Sequence, residues 1–246
     1  VSAAQQAISS PMIEALFPPG VAAAELRLPG DAALLDPVEA RVVAGAVPKR
    51  VGEFAAGRLC ARSALARFGI EGFALRAGGD RQPLWPEGFV GSITHTVGFC
   101  AAVVGPAARF AALGLDTEKA DSLSPELWRR ICLTSEIDRI ESLPRAAQVS
   151  AATLVFSAKE ALYKCQYPYT GERLSFQDVE VKPRDWSAGC GDFTISSRNN
   201  STRIAAFAGA LRAAYRFHEG FISAGVALCA SEAAGGPSKP CRPGKA

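Results

Sequence analysis

Phe110-Ala-Ala-Leu-Gly-Leu-Asp-Thr-Glu118 is an apolar run that ends in two acids. Read as a strand, it puts residues two apart on one face, so Asp116 and Glu118 point the same way. Two neighbouring carboxylates repel unless a cation joins them. About forty residues later, Phe156-Ser-Ala-Lys-Glu-Ala-Leu-Tyr-Lys164 reads as a helix. With Glu160 there are three hard oxygen donors, which could hold one Mg²⁺ and leave room for water and a substrate phosphate. That is the chemistry of phosphoryl transfer. On spacing alone, Asp-x-Glu is equally the solvated end of a strand. Glu160 and Lys164 at i, i+4 are equally a surface ion pair worth about 0.3–0.5 kcal/mol. Lys159 lies about 100° around the helix and flanks the same cleft.

Outward from this pair of segments the chain falls into two similar halves. Residues 1–20 read as a loosely ordered lead-in, and Val21–Pro29 as a strand. A helical pattern runs from Asp36 to Phe68, broken near Pro48, with Asp36-Pro37-Val-Glu39 as its start and Gly69 as its stop. Short strands follow at 73–76, 91–95, 99–104 and 111–118, with a turn at Gly78-Gly79-Asp80. The second half repeats the order. Helices are expected at 124–133, at 135–143 after a Thr134 cap, and at 145–166. The last carries the apolar stripe Leu154, Ala158, Ala161, Leu162 and Cys165. Strands are expected at 176–181, 192–196, 203–208, 210–217 and 221–229. Gly98–Val104 and Gly220–Leu228 look alike, a weak internal duplication, and two similar halves leave a cleft between them. The tail 231–246 is rich in Gly, Pro and Lys and is expected to be disordered.

Of the 246 residues, 48% are hydrophobic and 21% charged, a globular balance. A net charge of +3 is too weak to argue for nucleic acid. Seven widely spaced cysteines without a C-x-x-C read as reduced thiols of a cytoplasmic protein. No apolar run approaches the roughly 20 residues of a membrane span, and no signal peptide is evident.

Arg50, Arg58 and Arg62 line the first helical region, and an arginine face grips phosphate or simply meets solvent. Thr94 and His95 leave the sheet at the end of a strand, a reasonable place to touch a diphosphate. The other histidine, His218, sits before a turn.

Taken in order, Lys49-Arg50, Gly57-Arg58-Leu-Cys-Ala-Arg62, Pro83-Leu-Trp85-Pro86, Gly91-Ser-Ile-Thr-His95, Gly114-Leu-Asp-Thr-Glu118 and Phe156–Lys164 resemble the Sfp-type 4′-phosphopantetheinyl transferases, in their EntD-like branch. The resemblance covers roughly residues 35–228. It implies an α+β fold of two pseudo-symmetric halves. Each is a small, mainly antiparallel sheet packed on a long helix, with the active site in the cleft. The expected division is 1–112 for coenzyme contacts and 113–230 for metal and catalysis.

The reaction implied is Mg²⁺-dependent transfer of phosphopantetheine from coenzyme A to a serine of an apo acyl or peptidyl carrier protein, by a monomer. By similarity Asp116, Glu118 and Glu160 hold Mg²⁺, with Glu160 and Lys164 catalytic. Arg50 and Arg58 bind the 3′-phosphate end, and Arg81, Gln82 and Pro83 lie near the adenine. Thr94 and His95 touch the phosphates, and Lys159 and Lys164 the diphosphate. The competing readings are a carrier-protein or coenzyme A binding module without catalysis, and a different Mg²⁺-dependent phosphoryl-transfer enzyme. A nucleotide-binding G-x-x-x-x-G-K-[ST] motif is missing.

Overall fold

The computed structural model describes residues 7–27, 29–80, 82–186, 189–198 and 203–230. The expectations for the 231–246 tail and for Arg81 therefore lie outside the described residues. Two antiparallel sheets form the frame. The first has strand order β1-β2-β4-β3, from β1 (Ile8–Ser9), β2 (Ala22–Leu26), β3 (Phe89–Thr96) and β4 (Phe99–Pro106). The second has order β5-β9-β8-β7-β6, from β5 (Phe110–Lys119), β6 (Val179–Pro183), β7 (Cys190–Ser197), β8 (Leu211–His218) and β9 (Phe221–Cys229). β5, which a division at 112/113 would cut, belongs wholly to the second sheet.

Strand alternation explains how each sheet is covered. Along β4, Phe99, Ala101 and Val103 turn to a core shared by both sheets, where they meet Leu113 and Leu115 of β5. The alternate residues Cys100, Ala102 and Val104 turn to the long helix α3 (Pro48–Ala66). On the second sheet, Ala112, Ala224, Val226 and Leu228 pack against α6 (Arg145–Thr170). The whole predicted stripe of α6, from Leu154 to Cys165, is buried.

The lead-in is not loose where it is described. Helix α1 (Pro11–Glu14), capped by the Ser10 side chain, sends Ile13 into the shared core, followed by Leu16 and Phe17. Phe17 fits because Gly225 opposite has no side chain: a Cβ there would lie 2.8 Å from its ring.

Three further short α-helices lie among the described residues. α2 (Pro37–Val42) starts at the expected Asp36 cap, closed by Glu39. α4 (Trp128–Ile131) is a remnant of the helix expected over 124–133. In α5 (Thr134–Glu141), Leu133 rather than Thr134 is the cap position, and its N–H is taken by Glu136. Arg203–Ala206 and Ala208–Ala210 form 3₁₀ turns where a strand was expected over 203–208. Residues 73–76 form no strand, and only Ala77 and Pro83 bridge. Among the described residues Cys60, Cys100, Cys132, Cys165 and Cys190 are free thiols. Among the described residues no helix is long and apolar enough to cross a membrane.

Candidate functional site

β3 and β5 are the outer strands of their sheets and lie side by side. No backbone ladder joins them. Instead the hydroxyls of Ser92 and Thr94 accept from the N–H groups of Leu115 and Thr117, at 3.0 and 2.9 Å. This seam brings the first half's Thr94 and His95 to the second half's Asp116.

Gly114, Asp116 and Glu118 share the β5 face that meets α6. Gly114 sets the spacing, since a Cβ on it would lie 1.9 Å from the Ala161 carbonyl. At that close approach Lys164 reaches across, donating to Asp116 Oδ1 at 2.7 Å and to the Leu115 carbonyl at 3.2 Å. Lys164 thus pairs with Asp116, not with its helical neighbour Glu160. Thr94 Oγ1 stands 3.5 Å from the same Asp116 oxygen.

The acids feel one another. Burial, then repulsion by Asp116 and Glu160, pushes the Glu118 carboxyl up to about 7 against the pull of Lys164. Burial and Asp116 likewise raise Glu160. Asp116 Oδ2 is buried with no hydrogen-bond partner. Among the described residues, no three His, Cys, Asp or Glu side chains are gathered closely enough to hold a metal ion as they stand. The expected three-carboxylate cage is therefore not preformed, and Lys164 sits on Asp116 in its place. The donor set still suits a hard divalent cation. It has an orphaned buried carboxylate oxygen and two glutamates whose charged forms are disfavoured by burial and by the neighbouring carboxylates, a penalty that a bound cation would offset.

On the other side of the seam, Arg50 and Glu53 of α3 meet His95 of β3. Arg50 Nη1 lies 3.5 Å from His95 Nε2, which lies 3.4 Å from Glu53 Oε2. Burial lowers the His95 pKa; Glu53 opposes this, while Arg50 and, across the seam, Lys164 add to it. Arg50 is open to solvent, its side chain 49% exposed. Glu53, three residues on from Arg50, was not foreseen; that i, i+3 spacing was its only signal.

Two expected ligands are placed differently. Arg58 is only 5% exposed, its Nε donates to the Leu75 carbonyl and its guanidinium lies over the Phe54 ring at 4.0 Å. Burial lowers its pKa to about 10. Its Nε anchors the loop that follows α3. Lys159 is 2% exposed and donates to the Ile131 carbonyl, to Glu136 Oε2 and to the Phe176 carbonyl, at 2.9, 2.7 and 2.8 Å. An ammonium has three N–H groups, so none is left for a diphosphate. Arg62 is also committed, to Glu39 and the Leu34 carbonyl. His218 bonds Ser223, whose hydroxyl also meets that of Thr117, between the two acids of β5.

Gln82 and Pro83 lie in a tight loop closed by bonds from Gly78 N–H to the Gln82 carbonyl and from Leu84 N–H to the Arg76 carbonyl. Tyr167 of α6 donates to Asp80 of this loop at 2.9 Å, so the loop touches both halves. Beside Glu160 opens a groove of about 460 Å³, lined by Arg130, Tyr163, Arg173, Leu174 and Phe176 among others.

Two family models match the chain. One, described as the 4′-phosphopantetheinyl transferase N-terminal domain, covers residues 38–105. The other, described as the 4′-phosphopantetheinyl transferase superfamily, covers 112–215. The chain is 44% identical over 149 residues to 4′-phosphopantetheinyl transferase Svp of Streptomyces mobaraensis, which is 60% of this chain and 61% of that one. To 4′-phosphopantetheinyl transferase Npt of Nocardia iowensis it is 35% identical over 188 residues, 76% of this chain and 84% of that one. To enterobactin synthase component D of Salmonella austin it is 36% identical over 118 residues, 47% of each chain. The chain therefore spans most of Npt but under two thirds of Svp and about half of the enterobactin component.

Proposed function

The chain belongs to the 4′-phosphopantetheinyl transferase superfamily, and from its site we propose that it moves the phosphopantetheine arm of coenzyme A to a serine of an apo carrier protein, releasing 3′,5′-ADP. The observation that carries the reading is the meeting of Asp116 and Glu118 on β5 with Glu160 and Lys164 on α6. An orphaned carboxylate oxygen among raised acids argues against a binding module that has lost its chemistry.

In this reading the serine oxygen forms a bond to the β-phosphorus as the bond to the 3′,5′-ADP oxygen breaks. Glu160 takes the serine proton. It makes no hydrogen bond or ion pair among the described residues, so its carboxylate is open to accept a proton. Lys164, close to the reacting centre, offsets charge on the departing oxygen. Mg²⁺, which Asp116, Glu118 and Glu160 would hold, supplies charge neutralisation at the diphosphate when bound.

Arg50 and His95 face the nucleotide end, and the Gln82–Pro83 loop lies beside it. The groove next to Glu160 suits the pantetheine arm, with Tyr163, Leu174 and Phe176 as apolar walls. Arg130 and Arg173 at that groove offer positive charge to an acidic carrier domain of polyketide, nonribosomal peptide or fatty acid synthesis. A secondary-metabolite carrier is our reading of the partner. Both sides of the site come from one chain, so we assign the activity to a monomer, acting in the cytoplasm.

The test is mass spectrometry of apo carrier domains incubated with coenzyme A, Mg²⁺ and the protein. A gain of one phosphopantetheine arm, lost in excess EDTA, is expected. Unchanged mass across acyl and peptidyl carriers would reject the reading.

A further inference from the structure

Each half carries the same buried knot, and the register between the two is fixed. In the first half Glu39, fully buried, stands at the third position of α2. It accepts from the Asp36 N–H, from Arg62 of α3 and from the Leu75 N–H. In the second half Glu136, also buried, stands at the third position of α5. It accepts from the Leu133 N–H, from Lys159 of α6 and from the Val181 N–H. In both cases the carboxylate caps its own short helix, grips a cation on the long helix and holds the segment that follows that helix. Both cations lie 23 residues after their glutamate. In this register Ala61-Arg62-Ser-Ala-Leu-Ala-Arg67 lies over Ala158-Lys159-Glu-Ala-Leu-Tyr-Lys164. Lys159 is therefore the counterpart of Arg62, and Glu160 falls where the first half has Ser63.

We infer that Lys159 is a positioning residue acting through Glu136, and that it does not bind the coenzyme. The Lys159–Glu136 pair ties α6 to the end of α4 through the Ile131 carbonyl, and to the groove wall through the Phe176 carbonyl. Those ties fix the helix one residue before Glu160. They also hold the wall of the groove into which Glu160 opens. The first half keeps the knot, but its long helix has Ser63 where the second has the acid. The knot is a folding device shared by both halves, and the second half has built its chemistry on the residue next to it.

This inference rests on the transferase reading for its kinetic arm, and a binding arm keeps the two separable. The variants are Lys159→Met, Glu136→Leu and the pair together, with Lys159→Arg as the conservative replacement. Coenzyme A affinity is measured by calorimetry with Mg²⁺, alongside melting temperature and kcat on an apo carrier protein. Lys159→Met strands a buried carboxylate, so it is expected to melt lower and to lose about tenfold or more in kcat. The pair removes both charges, so it should melt higher than Lys159→Met and be no less active, a non-additive cycle. Lys159→Arg should recover part of the lost kcat.

The deciding number is the Kd for coenzyme A in the pair, which is the variant expected to fold. A Kd within about threefold of the parent supports a positioning role. A Kd weakened about tenfold or more, with effects of the two sites that add, would overturn it and return Lys159 to the diphosphate. A parent that modifies no carrier protein would sink the transferase reading, and the binding and melting arms would still decide the role of Lys159.

Discussion

Gly114→Ala tests the close approach on which the site depends. A Cβ at this position would stand 1.9 Å from the Ala161 carbonyl oxygen, 2.7 Å from Cys165 N and 2.8 Å from Cys165 Cβ. The first contact is about 1.5 Å short of the 3.4 Å at which ordinary van der Waals contact begins. The obstacle is helix backbone, which cannot rotate away as a side chain would. Either α6 moves off β5 or the strand bends. Overpacking of this kind costs about 1–3 kcal/mol, and the upper end applies where backbone must shift. For a chain of this size that is a fall in Tm of about 6–12 °C. The catalytic effect should be larger, because α6 carries Glu160 and Lys164 while β5 carries Asp116. A displacement of about 1 Å between groups that act together can cost about a hundredfold in rate. The assay is differential scanning calorimetry beside carrier modification, with Gly209→Ala, which meets nothing within 4 Å, as the control. If Gly114→Ala melts with the control and keeps its kcat, the proximity argument is wrong.

Other expectations follow from the same geometry. Asp116→Ala or Glu160→Ala should each lower carrier modification by about a hundredfold or more, since each removes charge from a phosphoryl-transfer site; full activity in either would reject the site. In metal-free protein Glu118 titrates near 7 when folded, against 4.5 for the ordinary carboxyl. Between those values the folded chain keeps a proton the unfolded chain has lost, so this group makes stability fall as pH rises from about 4.5 to about 7. Melting curves in EDTA should show that slope reduced in Glu118→Gln, and identical slopes would contradict the burial of this acid among the others. Arg50→Ala should raise the KM for coenzyme A about tenfold with little change in kcat, because a remote phosphate contact is made in ground and transition states alike. The comparison with 3′-dephospho-coenzyme A decides it: an undiminished preference for coenzyme A in the variant would misplace this anchor.

The parts of the fold that were readable in sequence are those where one force dominates. β4 and β5 are buried on both sides of the sheet up to their ends, so they show as apolar runs. The α6 stripe faces one sheet and keeps its helical period. What escaped was decided by long-range packing. Ile13, Leu16 and Phe17 are too few and too close to the chain start to show a period, yet they fill the shared core. Ile204 and Phe207 read as residues of a strand over 203–208, but they pack into the C-terminal core from a 3₁₀ turn and from the cap of the next.

In the site, the pairing of residues on β5 with residues on α6 was visible as motifs. The duties of the cations were not. Charge on a helix says nothing about which side of it is buried, and Lys159 and Arg58 both turned inward. The matching spacings from Glu39 to Arg62 and from Glu136 to Lys159 were present in the sequence as the cue. They would have marked Lys159 as a folding residue.

The seam between β3 and β5 has a consequence for solubility. Outer strands expose unpaired N–H and C=O groups and invite other chains to add a strand. Here two such edges are turned toward one another, and the hydroxyls of Ser92 and Thr94 occupy N–H groups of β5 that a foreign strand would need. The same hydroxyls that align the catalytic strands act as guards against fibre-like growth. Once the two sheets have met, those N–H groups are no longer open to a strand from another molecule.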